Sequence, residues 1–136
     1  MTFEHSESTT TTATPEAVWA LWSDVATWEQ WDPAVEAVAL DGAFAEGTAG
    51  TITLRDGIEA PFTLEVVTSA ARYLDQLTMG DLVIRIDHVL RAMPGGTEIT
   101  VSTTIEGPGA DDIGPMVTAD APVALAALVR LAETTP

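Results

Sequence analysis

Alternation of apolar and polar side chains is clearest between residues 82 and 106. From Leu82 to Ala92, the residues Leu82, Ile84, Ile86, His88 and Leu90 fall on one side of an extended chain, with Arg85, Asp87 and Arg91 on the other. Thr97–Glu106 repeats the pattern, setting Ile99, Val101, Thr103 and Ile105 against Glu98, Thr100, Ser102 and Glu106. A period of two predicts strands, and Pro94-Gly95-Gly96 between them predicts a tight antiparallel turn. Shorter runs behave alike. Val35–Leu40 closes at Asp41-Gly42, a loop covers Phe44–Gly47, and Gly50–Arg55 closes at Asp56-Gly57, a hairpin signal. Phe62–Thr68 sets Phe62, Leu64 and Val66 against Thr63 and Glu65, and Arg72–Met79 turns at Gly80-Asp81. The Thr-rich stretch 2–12 predicts a first strand with Phe3, His5, Glu7, Thr9 and Thr11 on one side. Successive hairpins with polar outer faces predict an antiparallel sheet with one dry face.

Two segments switch to helical spacing. All four tryptophans, Trp19, Trp22, Trp28 and Trp31, fall within Thr14–Pro33. Thr14 is a capping residue, Pro15 suits the first helical position, and Val18, Leu21 and Trp22 share a face. Asp24 can cap a second short helix that holds Val25 and Trp28 and stops at Asp32-Pro33, because the residue before proline avoids helical dihedrals. Two such helices can cover one end of a sheet, anchored there by Trp28 and Trp31. At the C-terminus, about Pro115 to Glu133 reads as one helix. With Arg130 facing water, Val117, Ala121, Ala124, Leu125, Leu128, Leu131 and Ala132 face inward. Pro122 should kink this helix or mark its true start. The prediction is an α+β fold over a single domain, 1–136: strand, two short helices, six strands, long helix.

Composition narrows the function. An apolar fraction of 46% supports a real core, and the absence of cysteine removes disulfides and thiolate metal sites. Twenty-one acids against five arginines give a formal charge of −16, with no lysine. Such a chain repels phosphate backbones, so no nucleic-acid partner is expected. The acids fit either solubility at high salt or a composition that disfavours lysine. The first residues, MTFEHSES, lack a signal-peptide pattern, and the longest apolar run, Val123–Val129, falls short of the ~20 residues of a membrane span. A cytoplasmic protein without membrane insertion is expected, as monomer or homodimer. Nucleotide-loop, G-x-S-x-G and H-E-x-x-H motifs are absent.

The run Pro15–Asp24 (PEAVWALWSD), the following W-x-x-W-D-P and the pieces Asp41-Gly42-Ala43-Phe44 before Gly47-Thr48, Asp87-His88-Val89-Leu90, Gly95-Gly96-Thr97 and Ile105-Glu106-Gly107-Pro108 occur in a fairly specific order. In that order the chain resembles the START-like (SRPBCC) superfamily, in its polyketide cyclase/dehydrase-like branch, over nearly its whole length. The resemblance implies a helix-grip fold: a seven-stranded curved antiparallel sheet wrapped around a C-terminal helix, with a cavity between. Members bind lipids, sterols, polyketides and other apolar small molecules, and some are cyclases or hydratases. One departure is that the segment between Gly107 and the last helix looks short for the family.

Ala121, Ala124 and Ala132 on the inner face of the helix leave room for such a cavity. Parity nominates Leu54, Phe62, Leu64, Tyr73 and Leu77 as ligand contacts, with Ile84, Ile86, His88, Val101 and Thr103. The helix adds Ala124, Leu125 and Leu128, and Trp28 and Trp31 can close the mouth. His88 sits on the apolar face of the best strand, where it can act as a base or donate to a ligand carbonyl, or be a satisfied core histidine. Tyr73 can hold a ligand oxygen or pack with its hydroxyl at the rim. These two are the candidate catalytic residues. His5 and Glu7 share a face and with His88 offer metal-ligating groups, yet no i,i+4 spacing supports a site, so no metal or other cofactor is expected. Three functions stay open: a carrier of an apolar small molecule, a cyclase or dehydratase using the same cavity, and a protein-interaction module. The charge itself makes a prediction. The melting temperature should rise between low and molar salt as self-repulsion is screened, and an unchanged melting temperature would mean that the acids are well paired or far apart.

Overall fold

The computed structural model describes residues 2–134. Along the chain run β1 (Thr2–Thr11), α1 (Pro15–Trp22), a 3₁₀ turn (Val25–Thr27), α2 (Trp28–Trp31), β2 (Val35–Leu40) and β3 (Ala49–Leu54). They are followed by β4 (Ile58–Thr68), β5 (Arg72–Met79), β6 (Leu82–Met93), β7 (Gly96–Glu106), α3 (Ala110–Thr118) and α4 (Ala121–Thr134). The strands form one curved antiparallel sheet in the order β1-β7-β6-β5-β4-β3-β2, with the C-terminal helices against its concave face. This is the helix-grip architecture that the family resemblance implies.

The first and second strands lie at opposite edges, so the segment between them must span the sheet's width. Thr14 Oγ1 accepts the Ala17 N–H at 3.2 Å, and Asp24 accepts from Ala26 at 3.2 Å, capping the two turns as expected. The buried indole N–H of Trp28 donates to the Trp22 carbonyl at 2.9 Å and ties the end of α1 to α2. Val18, Trp22, Trp28 and Trp31 are buried, so the bridge is held by large apolar side chains as well as by its caps.

The sequence and the structure part in three places. β4 begins at Ile58, before Phe62, and runs through Pro61, which lies opposite Thr51. A bulge between Leu64 and Val66 shifts the register, so Val67 opposes Tyr73 while Val66 opposes Leu74. Val67, not Val66, therefore continues the inner face: the extra residue of a bulge flips the alternation that follows it. At the C-terminus the expected single helix is two. Gly109, with φ 78°, precedes α3, and Asp111 and Asp112 suit the positive end of that helix. Pro115 lies inside α3, and Pro122 stands at the second position of α4, a start that proline tolerates. The segment after Gly107 is folded as α3, which begins at Ala110, five residues before the expected start at Pro115.

Residues 110–134 include a window of mean hydropathy 1.4, long and apolar enough to cross a membrane by composition. Here the stretch is broken between α3 and α4, and Leu125, Leu128 and Ala132 are buried in the core. α3 meets β1 through Gly114, where a Cβ would stand 2.3 Å from Cγ of Phe3. The base of that ring cannot yield without moving the strand. Gly114→Ala should therefore destabilise the fold by about 1–2 kcal/mol, because overpacking of about 1–3 kcal/mol outweighs a helix-propensity gain of at most about 1. Urea unfolding measures this, and a neutral or stabilised variant would mean that α3 does not seat against β1.

Candidate functional site

The concave side of the sheet encloses a cavity of about 420 Å³. Its floor is built by strand alternation. Ile52 and Leu54 come from β3, Tyr73, Asp75, Leu77 and Met79 from β5, Ile84, Ile86 and His88 from β6, and Val101 and Thr103 from β7. The roof is Ile113, Val117 and Thr118 of α3 with Ala121, Ala124, Leu125 and Leu128 of α4. Trp22, Trp28, Trp31, Asp32 and Val35 close one end. Ile58 and Met116 also line the cavity but are 50% and 76% exposed, which makes their side its mouth. There Arg55 bridges from the β3–β4 turn to Asp120 in the break between α3 and α4, and also donates to the Pro33 carbonyl at 3.3 Å.

Every residue nominated from the sequence for ligand contact lies in one of these walls except Phe62 and Leu64. Both are buried, but other parts of the chain cover them. Phe62 packs on Trp28 with ring centroids 6.2 Å apart, and Leu64 is hydrogen-bonded through its backbone to Gly47 and Thr48 of the preceding loop. Phe44 of that loop inserts between Trp19, Trp28 and Tyr73 at 5.3–6.5 Å and fills the space. His5 does not join His88: it pairs with Glu7 at 3.0 Å on β1, outside the cavity wall. Among the described residues no group of three or more His, Cys, Asp or Glu is arranged around a metal position.

The ionisable groups of the floor sit on β5 and β6, beside the Thr103 hydroxyl of β7. Tyr73 and His88 are register partners, and their rings stack 3.8 Å apart at 7°. Trp28 stacks on Tyr73 at 5.9 Å, and Trp22 meets both rings edge-on. Tyr73 is 1% exposed, so its hydroxyl does not sit at a solvent rim. His88 Nδ1 donates to the Tyr73 carbonyl at 3.2 Å, which leaves Nε2 as the acceptor of the neutral ring. The imidazole is therefore half satisfied by main chain.

Asp75 is the residue that the sequence reading passed over. It is 3% exposed and lies on the inner face between Tyr73 and Leu77. Its Oδ1 is the one buried side-chain oxygen or nitrogen without a hydrogen-bond partner among the described residues. Strand parity alone could have found it, since both its i±2 neighbours were nominated. Asp32 stops the second helix, as its place before Pro33 predicts. It also faces the cavity, with Oδ1 accepting the Ala34 N–H at 3.0 Å.

Burial sets the protonation of this floor. It pushes Asp75 up to about 7, with the Asp32 charge adding and its own backbone N–H opposing. It raises Asp32 too, helped by Asp120 and opposed by the Ala34 N–H and Arg55. Burial lowers His88 to about 4 against its carbonyl contact and the Asp87 charge, and lifts the Tyr73 hydroxyl well above its usual range. At neutral pH the floor holds a neutral imidazole, a neutral phenol and a carboxyl poised between its two forms. Such a set can accept or donate a proton within a dry pocket.

Residues 2–133 match the sequence model of the family described as polyketide cyclase / dehydrase and lipid transport. Solved structures share the fold. Protein MLL2253 from Mesorhizobium loti superposes with a TM-score of 0.85 at 16% identity, covering 98% of this chain and 99% of its own. Norcoclaurine synthase from Thalictrum flavum, in complex with dopamine and hydroxybenzaldehyde, gives 0.76 at 17% identity, with 100% and 90% covered. The di-domain ARO/CYC BexL from the BE-7585A biosynthetic pathway gives 0.80 at 16%, with 99% of this chain and 51% of BexL covered. At these identities the likeness is one of fold. No curated protein matches the chain.

The two buried groups make opposite contributions to stability as pH changes. Asp75 holds its proton more tightly folded than unfolded (about 7 against 3.8), so its contribution is full below pH 4 and is lost as pH rises through 7. His88 holds its proton less tightly folded (about 4 against 6.5), so its contribution is present above pH 6.5 and is lost as pH falls toward 4. Each amounts to something on the order of 3–4 kcal/mol. In urea unfolding, the stability of Asp75→Asn relative to the unaltered protein should therefore climb from pH 4 to 7, and that of His88→Gln should fall from pH 4 to 6.5. Two flat difference curves would contradict the burial of both groups.

Proposed function

The chain belongs to the polyketide cyclase / dehydrase and lipid transport family, and we propose that it binds a hydrophobic small molecule, lipid-, sterol- or polyketide-like, between the sheet and α4. The observation that carries this reading is the cavity of about 420 Å³, within the range of small-molecule pockets and walled mainly by apolar side chains. Thirteen of the residues nominated from the sequence are its walls: Trp28, Trp31, Leu54, Tyr73, Leu77, Ile84, Ile86, His88, Val101, Thr103, Ala124, Leu125 and Leu128. The exposed apolar side chains Ile58 and Met116 flank the mouth, which gives a greasy ligand a path inward. The flanking Arg55–Asp120 ion pair joins the two sides of that mouth and must yield if a bulky ligand passes.

A second reading, a cyclase or dehydratase in the same cavity, is favoured by the meeting of Tyr73, His88 and Asp75 on one apolar floor. The walls would fold a flexible substrate into a reactive conformer, a proximity effect. The neutral His88 Nε2 would take a proton, and Tyr73 would hold a developing oxyanion. A fold neighbour, norcoclaurine synthase, holds two small ring compounds, which suits a ring-bearing ligand here as well.

Tryptophan emission tests the binding reading, because Trp22, Trp28 and Trp31 line the cavity. Titration with N-phenyl-1-naphthylamine, uncharged at neutral pH, should change that emission saturably. Ala124→Phe should weaken binding at least tenfold by filling the space, while His88→Ala should keep affinity within a few-fold. A linear, non-saturating response, or an Ala124→Phe protein that binds as well as the original, would count against a ligand-accessible cavity. Loss of turnover in His88→Ala with affinity retained would favour the enzyme over the carrier.

A further inference from the structure

The ionisable groups around the cavity are unevenly distributed. Asp32, Asp56, Asp75 and Asp120 all line it, against one guanidinium, Arg55, and a neutral His88. Arg55 is already engaged by Asp120 and the Pro33 carbonyl. Asp32 is partly satisfied by the Ala34 N–H. Asp75 has an oxygen with no partner at all, on a side chain 3% exposed. A buried carboxyl left unpaired is costly, and the cost falls when a donor or an opposite charge arrives.

Resting on the binding reading above, we propose that the cavity takes an amphipathic amine, with its ammonium group seated on Asp75 near Asp32 and its apolar body between Ala124, Leu128 and the sheet. An ammonium brings three donors and a positive charge to the one place on the floor that lacks both. The formal charge of −16 makes the surrounding field favour cations and repel carboxylate or phosphate headgroups. A free fatty acid is for the same reason a poor fit.

The pH dependence has a definite sign. An ammonium ligand favours the ionised form of Asp75, so it binds with release of a proton and binds better as pH rises from 5.5 to 8. A neutral ligand that accepts a hydrogen bond from protonated Asp75 would do the opposite. Other groups facing the site do not reverse this. Tyr73 on the same strand and His88 on β6 stay neutral across the range, and Asp32 beyond α2, raised by burial, can only gain negative charge as pH rises; Asp56 and Asp120 stand near the mouth. Arg55 is paired with Asp120 at the mouth.

Calorimetric titration of the whole protein with 4-phenylbutylamine, 4-phenylbutan-1-ol and 4-phenylbutyrate at pH 8 separates the cases. The amine should bind at least tenfold more tightly than the alcohol, and the carboxylate most weakly. Asp75→Asn should cost the amine at least tenfold and the alcohol less than threefold. In the unaltered protein, where folding of a variant is not in question, amine affinity should fall at least fivefold from pH 8 to 5.5, and buffers of different ionisation enthalpy should reveal proton release. An alcohol that binds as well as the amine, or an amine that binds better at pH 5.5, overturns the assignment and leaves the hydrophobic-pocket reading standing. If none of the three probes nor N-phenyl-1-naphthylamine binds, both readings fall.

Discussion

A curved sheet of seven strands roofed by two C-terminal helices, the longer with small residues on its inner face, cannot fill its own concave side. That geometric constraint governs the rest of the structure. Ala121 and Ala124 of α4 face the floor where larger residues would have met it. The two edges of the sheet are joined by α1 and α2, and the tryptophans there close one end of the hollow while a hydrogen bond from Trp28 to the Trp22 carbonyl holds the bridge together. What remains open is an apolar space, and any polar group that projects into it is desolvated.

Three side chains meet that condition on adjacent strands. Tyr73, Asp75 and His88 lie within one patch of the floor, and each is driven toward its neutral form by burial. Tyr73 and His88 satisfy part of this by stacking and by the Nδ1–carbonyl bond. Asp75 is the residue whose partner is missing. An apolar pocket with one unsatisfied carboxyl is both a greasy container and a selective one, and the acidic surroundings set the sign of that selection.

Most of the fold was legible in the sequence because strand alternation and helix caps are local. The strands from Arg72 to Glu106 fall within a residue of their predicted ends, since each turn is marked by glycine or proline. The misplacements came from effects that periodicity cannot carry. The bulge after Leu64 exchanged Val66 for Val67 on the inner face, and Pro115 concealed the beginning of α3. Phe62 and Leu64 had the right parity for the cavity but are covered by the Phe44 loop and Trp28, a tertiary fact. Asp75 was visible to parity and was missed because a charged residue on a strand is expected outside. The same rule held for Arg72, Arg85 and Arg91, which pair with acids on the outer face.

The most direct measurement of the central claim is the titration of the Asp75 side-chain carboxyl by carbon-13 NMR in the ligand-free protein, because its ionisation reports the dielectric of the hollow it lines. A dry, unfilled space beneath α4 gives a midpoint near 7. A midpoint near the ordinary carboxylate value of about 4 would mean that water or a compensating partner reaches the group, and that the sheet and helix do not enclose the space described.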